Sequence, residues 1–167
     1  EFDGDRDAVI ARAAASGVVV QVIPAVSAST FPGLATLCSG RVDLFAAYGL
    51  HPMYLDQHAD GDIDAVRTAL KQDAAVAVGE CGLDFFVDGL DPERQRTLFD
   101  AQLRLARDFD LPVILHARRA VDEVILRLRR IGGLRGVVHS FSGSGEQARQ
   151  LFQLGFHLGI GGPVTYE

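Results

Sequence analysis

Short apolar runs alternate along the chain with segments whose apolar residues recur every three or four positions. Residues 18–23 (VVVQVI) form a β-branched run closed by Pro24, which predicts a strand. Residues 43–48 (DLFAAY), 74–78, 111–115, 136–138 and 156–160 predict five more strands. Helical spacing fills the intervals. Residues 5–16 carry Val9, Ile10, Ala13 and Ala14 on one face, and Gly17 is placed to stop that helix. Ser27–Thr30 reads as the cap of a second helix reaching about Cys38. Residues 62–72 place Ile63, Val66 and Leu70 on one side of a third. Asp91 and Pro92 supply an N-cap and a first-turn proline for a helix to about Phe109, with Phe99, Leu103 and Ala106 on one face. Val121, Val124, Ile125, Leu128 and Ile131 mark the next, ended by Gly132-Gly133, and residues 146–154 the last.

Six strands alternating with helices, without low-complexity tracts, linkers or internal sequence repeats, call for a parallel sheet with crossover helices. Two architectures satisfy this: an open doubly wound sheet, or an incomplete (β/α)₈ barrel. A complete barrel takes about 250 residues, so the 167 residues fit a single barrel domain holding about strands 2–7. The sole methionine is Met53, the chain opens on EFDGDRD and it stops at TYE. A piece of a longer protein, cut at both ends, is the expectation.

Charge changes the picture modestly. Sixteen basic against twenty-two acidic residues leave a net charge of −6, which argues against non-specific grip on nucleic acid or an anionic membrane. A nucleic-acid substrate held through metal ions stays open, since bound cations are often the largest charges in a site. Cys38 and Cys81 form no CxxC or disulfide framework and suit a reducing, cytoplasmic setting. No apolar run approaches the roughly 20 residues of a spanning helix.

The candidate chemistry lies where apolar runs end. Glu80 follows Gly79 at the end of one run, His116 closes PVILH, and His139 closes GVVH. An ionised Glu at such a place is costly to bury unless a cation or hydrogen bonds meet it. In a barrel all parallel strands aim their C-terminal ends at one mouth. Glu80, His116 and His139 would converge there with the oxygen and imidazole donors that suit Zn²⁺, Mn²⁺, Fe²⁺ or a related ion. The plainer reading makes each a hydrogen-bonded residue at a loop start. His51, in GLHP, either packs beside Pro52 or contacts substrate at the rim. Asp84, expected on the loop after Glu80, could bind Arg118, orient a ligand or cap the turn. Arg118 and Arg119 follow His116, and a guanidinium there could clamp a phosphate. In SFSGS, residues 140–144, free backbone N–H groups could hold an anion, or Ser142 or Ser144 could cap the next helix. His58 and His157 read as structural, and Cys81 points away from Glu80 because adjacent strand residues face opposite ways.

GLHP at 49–52, VGECGLDFF at 78–86, LPVILHARRA at 111–120 and GVVHSFSGS at 136–144, in this order, resemble the TatD-type metal-dependent hydrolases and deoxyribonucleases, in particular their YjjV-like branch. The resemblance covers essentially the whole chain. It implies a (β/α)₈ barrel of the amidohydrolase superfamily with two divalent ions, Zn, Mn, Mg or Fe, per complete site. It makes Glu80 the carboxylate shared between the two metal positions, with His116 and His139 completing one of them. Asp84 joins Glu80 as a catalytic candidate, and His51, Arg118 and Ser140 are substrate-binding candidates. The family's other position uses a His-x-His pair on the first strand and an Asp on the last, and this sequence contains neither. The implied activity is hydrolysis of phosphodiester bonds in DNA by metal-activated water, in a monomer without membrane or protein partners. A small ester or amide, including esters on RNA, is the alternative substrate, and a non-catalytic barrel fragment is the third reading.

Overall fold

The computed structural model describes residues 4–72 and 74–165. Its strands are β1 (Gln21–Pro24), β2 (Leu44–Tyr48), β3 (Ala77–Asp84), β4 (Val113–Arg118), β5 (Gly136–Val138) and β6 (Phe156–Leu158). Between and before them lie α1 (Arg6–Ala15), α2 (Phe31–Cys38), α3 (Asp62–Gln72), α4 (Pro92–Asp108), α5 (Val121–Ile131) and α6 (Gly145–Gln153). The six strands form one sheet in chain order, β1 to β6, and every neighbouring pair is parallel. That order decides between the two architectures. A doubly wound sheet reverses its strand order at a switch point, whereas this sheet advances one neighbour at a time, as the wall of a (β/α) barrel does.

The helix faces read from periodicity are the buried ones. Val66 and Leu70 of α3, Phe99, Leu103 and Ala106 of α4, and Val124, Ile125 and Leu128 of α5 join Val78, Leu83, Val113 and Leu115 of the strands in one core. Each of the larger of these side chains contributes about 1.5–3 kcal/mol by leaving water. Asp91 caps α4 by accepting from the backbone N–H groups of Glu93 and Arg94. Ser144 caps α6 in a reciprocal arrangement with Gln147, which resolves the SFSGS alternatives for this serine in favour of capping. Among the described residues no helix is long and apolar enough to cross a membrane.

Several strand boundaries differ from expectation: β4 is Val113–Arg118 instead of 111–115, so His116 lies inside it, and β6 stops at Leu158 instead of 160. β1 starts at Gln21, because pairing begins there against Leu44 of β2; Val18, Val19 and Val20 precede it and are exposed. β3 does not end at Val78 but runs through Glu80 to Asp84, with an irregularity in register between Val78 and Cys81. The two glycines that look like strand breakers are points of crowding. A Cβ on Gly82, whose φ is +148°, would stand 1.9 Å from the His116 carbonyl oxygen, and one on Gly79 would stand 2.7 Å from that of Ile114. Glycine is therefore what lets β3 lie this close to β4, and the extra length carries Asp84 into the sheet rather than onto a loop.

Candidate metal centre at the strand ends

Four adjacent units bring the candidate residues to one end of the sheet. His51 follows β2 in the loop before a 3₁₀ turn, Pro52–Gln57. Glu80 lies within β3, His116 within β4, and His139 immediately after β5. Two glutamines of α4 brace the backbone beside β2 and at the end of β3. Gln102 accepts from the Leu50 N–H at 2.7 Å and donates to the Leu50 carbonyl at 3.3 Å. Gln95 does the same for Asp84, at 2.8 and 2.9 Å. Both are buried, so each amide stands in for the backbone partner that the strand end would otherwise lack. Sequence reading passed over them. The signal was present: 95 and 102 share the helix face of Phe99, Leu103 and Ala106.

The centre of the site is one oxygen. Oε1 of Glu80 lies 3.5 Å from His116 Nδ1 and 3.6 Å from His51 Nε2. The His51 and His116 rings are themselves 4.5 Å apart between centroids. Burial raises the pKa of Glu80, but hydrogen bonding from His116 and His51 and the nearby charges of His51 and His139 outweigh it, and it falls from 4.5 to about 2. The carboxylate is thus ionised although the residue is only 9% exposed.

Asp84 is fully buried and stands behind His116. Its Oδ2 lies 2.8 Å from His116 Nε2, while Oδ1 accepts from the N–H groups of Phe86 and Val87 at 2.9 and 3.0 Å. It is bonded to His116 and not to Arg118. A carboxylate accepts only, so His116 Nε2 carries a proton toward Asp84, and in the neutral ring it is Nδ1 that presents its lone pair toward Glu80. Burial disfavours the charged form of His116, yet its hydrogen bonds to Glu80 and Asp84 raise its pKa overall.

Those tautomers sort the ligands. At 3.5–3.6 Å these contacts are long and weak for hydrogen bonds. A tetrahedral ion about 2.1 Å from a nitrogen and an oxygen holds them about 3.4 Å apart, so His116 Nδ1 and Glu80 Oε1 fit a shared cation. The ligand atoms of His51, Glu80 and His116 all lie within 4.8 Å of one another. His51, however, accepts from the Met53 N–H through Nδ1 at 3.2 Å, which leaves the proton on the Nε2 that faces Glu80. In this rotamer His51 is a donor, not a ligand. His139 is exposed on the turn after β5, with its backbone N–H bonded to the Leu115 carbonyl at 2.8 Å. It is close enough to bias the charge of Glu80, but its ring is outside the compact group. Ser140 follows it with φ +47°. His58 is buried behind His51 and donates Nε2–H to the His51 carbonyl at 2.9 Å. Cys81 is buried on the opposite side of β3, in the core.

A family profile described as TatD related DNase matches residues 1–167. The chain belongs to the TatD family. It is 46% identical over 168 residues to the metal-dependent hydrolase YjjV of Escherichia coli (strain K12), covering 99% of this chain and 65% of the relative. The 3'-5' ssDNA/RNA exonuclease TatD of Klebsiella pneumoniae (strain 342) is 32% identical over 171 residues, covering 100% and 64%. The crystal structure of E. coli YjjV superposes with a TM-score of 0.94 at 44% identity over 99% of this chain and 65% of that one. The chain thus spans somewhat under two thirds of the length of these relatives.

The ionised state of Glu80 has a measurable consequence. A carboxylate whose folded pKa lies below its unfolded value stabilises the fold above about pH 4.5, and that stability is lost as pH falls toward about 2. The urea midpoint should therefore drop between neutral pH and about pH 3, and drop less in Glu80→Gln. Equal drops in the two proteins would assign the acid sensitivity to other carboxylates.

Proposed function

We propose that this chain forms the larger part of a metal-dependent phosphodiesterase whose substrate is single-stranded nucleic acid. The observation that carries the reading is the single ionised oxygen of Glu80 set between two imidazoles at the C-terminal ends of parallel strands. Glu80 and His116 Nδ1 would hold a divalent cation, with His139 at the same rim as the further residue that would turn in to complete that position. Such a cation supplies Lewis-acid charge to a phosphoryl oxygen and acidifies water.

The other side chains act on the substrate and on one another. His51 directs Nε2–H into the space beside Glu80, where it donates to a non-bridging phosphoryl oxygen and adds positive character as charge develops there. Asp84 keeps the His116 proton on Nε2, so that Nδ1 stays available. Arg118 projects beyond His116 and contacts phosphate, and Ser140 offers a hydroxyl on the His139 turn. Relatives named as ssDNA/RNA exonucleases favour a strand over a small ester as substrate.

Hydrolysis of bis(p-nitrophenyl) phosphate and of p-nitrophenyl acetate, with and without Mn²⁺, tests the reading. Metal-dependent cleavage of the phosphodiester alone is the expected result. Preferential cleavage of the acetate, or rates indifferent to metal, would contradict it.

A further inference from the structure

Beside Glu80 and His116, the strand ends of β3 and β4 carry a second group of side chains. Phe86 is 43% exposed, and the guanidinium carbons of Arg118 and Arg119 lie 3.7 and 4.6 Å from its ring centroid. Each guanidinium is attracted to the ring, but two like charges on one ring repel each other, and an anion placed against both relieves that repulsion. Among the described residues, neither arginine has an ion-pair partner. The contrast is with Arg96 and Arg127, which reach carboxylates at 2.6 Å.

The acids of the neighbourhood are already engaged. Arg118 and Arg119 line a cleft of about 690 Å³ together with Phe86, Asp122, Glu123 and Gln147. Glu123 is taken by Arg96 at 2.6 Å and Arg127 at 3.0 Å, and Asp122 accepts from Gln147 Nε2 at 2.8 Å. In a chain of net charge −6, this is a local positive site open to a polyanion.

Its position relative to the centre is set by the sheet. Arg118 is two residues beyond His116 on β4, so both side chains leave the same face, about 7 Å apart along the strand. The Phe86 loop is tied to the same point: Asp84 accepts from the Phe86 N–H with one oxygen and meets His116 with the other, and the Phe85 N–H donates to the Arg118 carbonyl at 2.9 Å.

We propose that Arg118 and Arg119, braced on Phe86, form a phosphate clamp. It takes a neighbouring phosphodiester of a single strand while another lies at Glu80 and His116. That the anion belongs to a nucleic-acid strand rests on the phosphodiesterase reading; the clamp rests on the unpaired guanidiniums and their ring.

Binding of a labelled short oligodeoxythymidylate, followed by fluorescence anisotropy in EDTA over a series of salt concentrations, tests it without turnover. Arg118→Gln/Arg119→Gln should weaken binding roughly tenfold or more and lower the slope of log K against log salt by about 1.4, two single-strand phosphate contacts' worth. Phe86→Leu, a change at a positioning residue, should weaken binding while keeping the slope, since both charges remain.

No binding of the oligonucleotide by the wild type, or an unchanged slope in the double variant, would each overturn the clamp. If the clamp results hold but Mn²⁺-dependent cleavage of bis(p-nitrophenyl) phosphate is absent, the phosphodiesterase reading fails instead.

Discussion

Replacing Glu80 by alanine is expected to abolish stoichiometric binding of Mn²⁺ or Zn²⁺. Its Oε1 is the one carboxylate oxygen between the His51 and His116 rings. Without it, His116 Nδ1 is left as the sole fixed ligand, and His51 presents a proton rather than a lone pair. Changes to groups that merely support a ligand cost about 10–100-fold in metal affinity, so loss of the ligand itself should exceed that. Glu80→Gln keeps the side-chain volume and separates ligation from packing: it should fold normally and still fail to retain metal. Elemental analysis after dialysis makes the measurement, and wild-type metal content in either variant would remove Glu80 from the centre.

The second large effect is expected at Asp84, where asparagine and alanine should part company. Asparagine can still accept from the Phe86 and Val87 N–H groups with its oxygen, so the loop stays anchored. Its amide then faces His116 Nε2 as a donor, which forces the imidazole proton onto Nδ1, the atom that faces Glu80. Asp84→Asn should therefore be nearly as stable as the wild type, yet bind metal about 10–100-fold more weakly. Asp84→Ala leaves two partly buried N–H donors and an imidazole without partners, at up to about 1–3 kcal/mol for each. It should lose stability as well as metal. Urea unfolding and calorimetric titration with Mn²⁺ read the two quantities separately. An asparagine variant with wild-type metal affinity would show that the His116 tautomer is not what Asp84 provides.

The outline of the fold was open to sequence reading because each strand is a short apolar run and each helix shows one buried face. Glu80 and His116 were legible for the same reason, as polar residues terminating apolar runs. What could not be read was set by backbone geometry. Gly79 and Gly82 resemble breaks but are contacts between β3 and β4, so β3 runs on and Asp84 sits under His116 rather than on a loop. The place of His51 depends on Gln102 gripping Leu50 from a helix 52 residues away in the chain. The ring of His139 lies on a turn after β5 that the pattern of apolar residues does not constrain. Phe86 looked like the tail of a motif, and its pairing with Arg118 and Arg119 emerges only from β3 and β4 lying side by side.

Anomalous diffraction from crystals equilibrated with Zn²⁺ or Mn²⁺ bears most directly on the centre. The prediction is a single strong peak at bonding distance, about 2.0–2.2 Å, from both a Glu80 carboxylate oxygen and His116 Nδ1. A peak bound elsewhere, with Glu80 and His116 still facing each other across an ion-free gap, would contradict it.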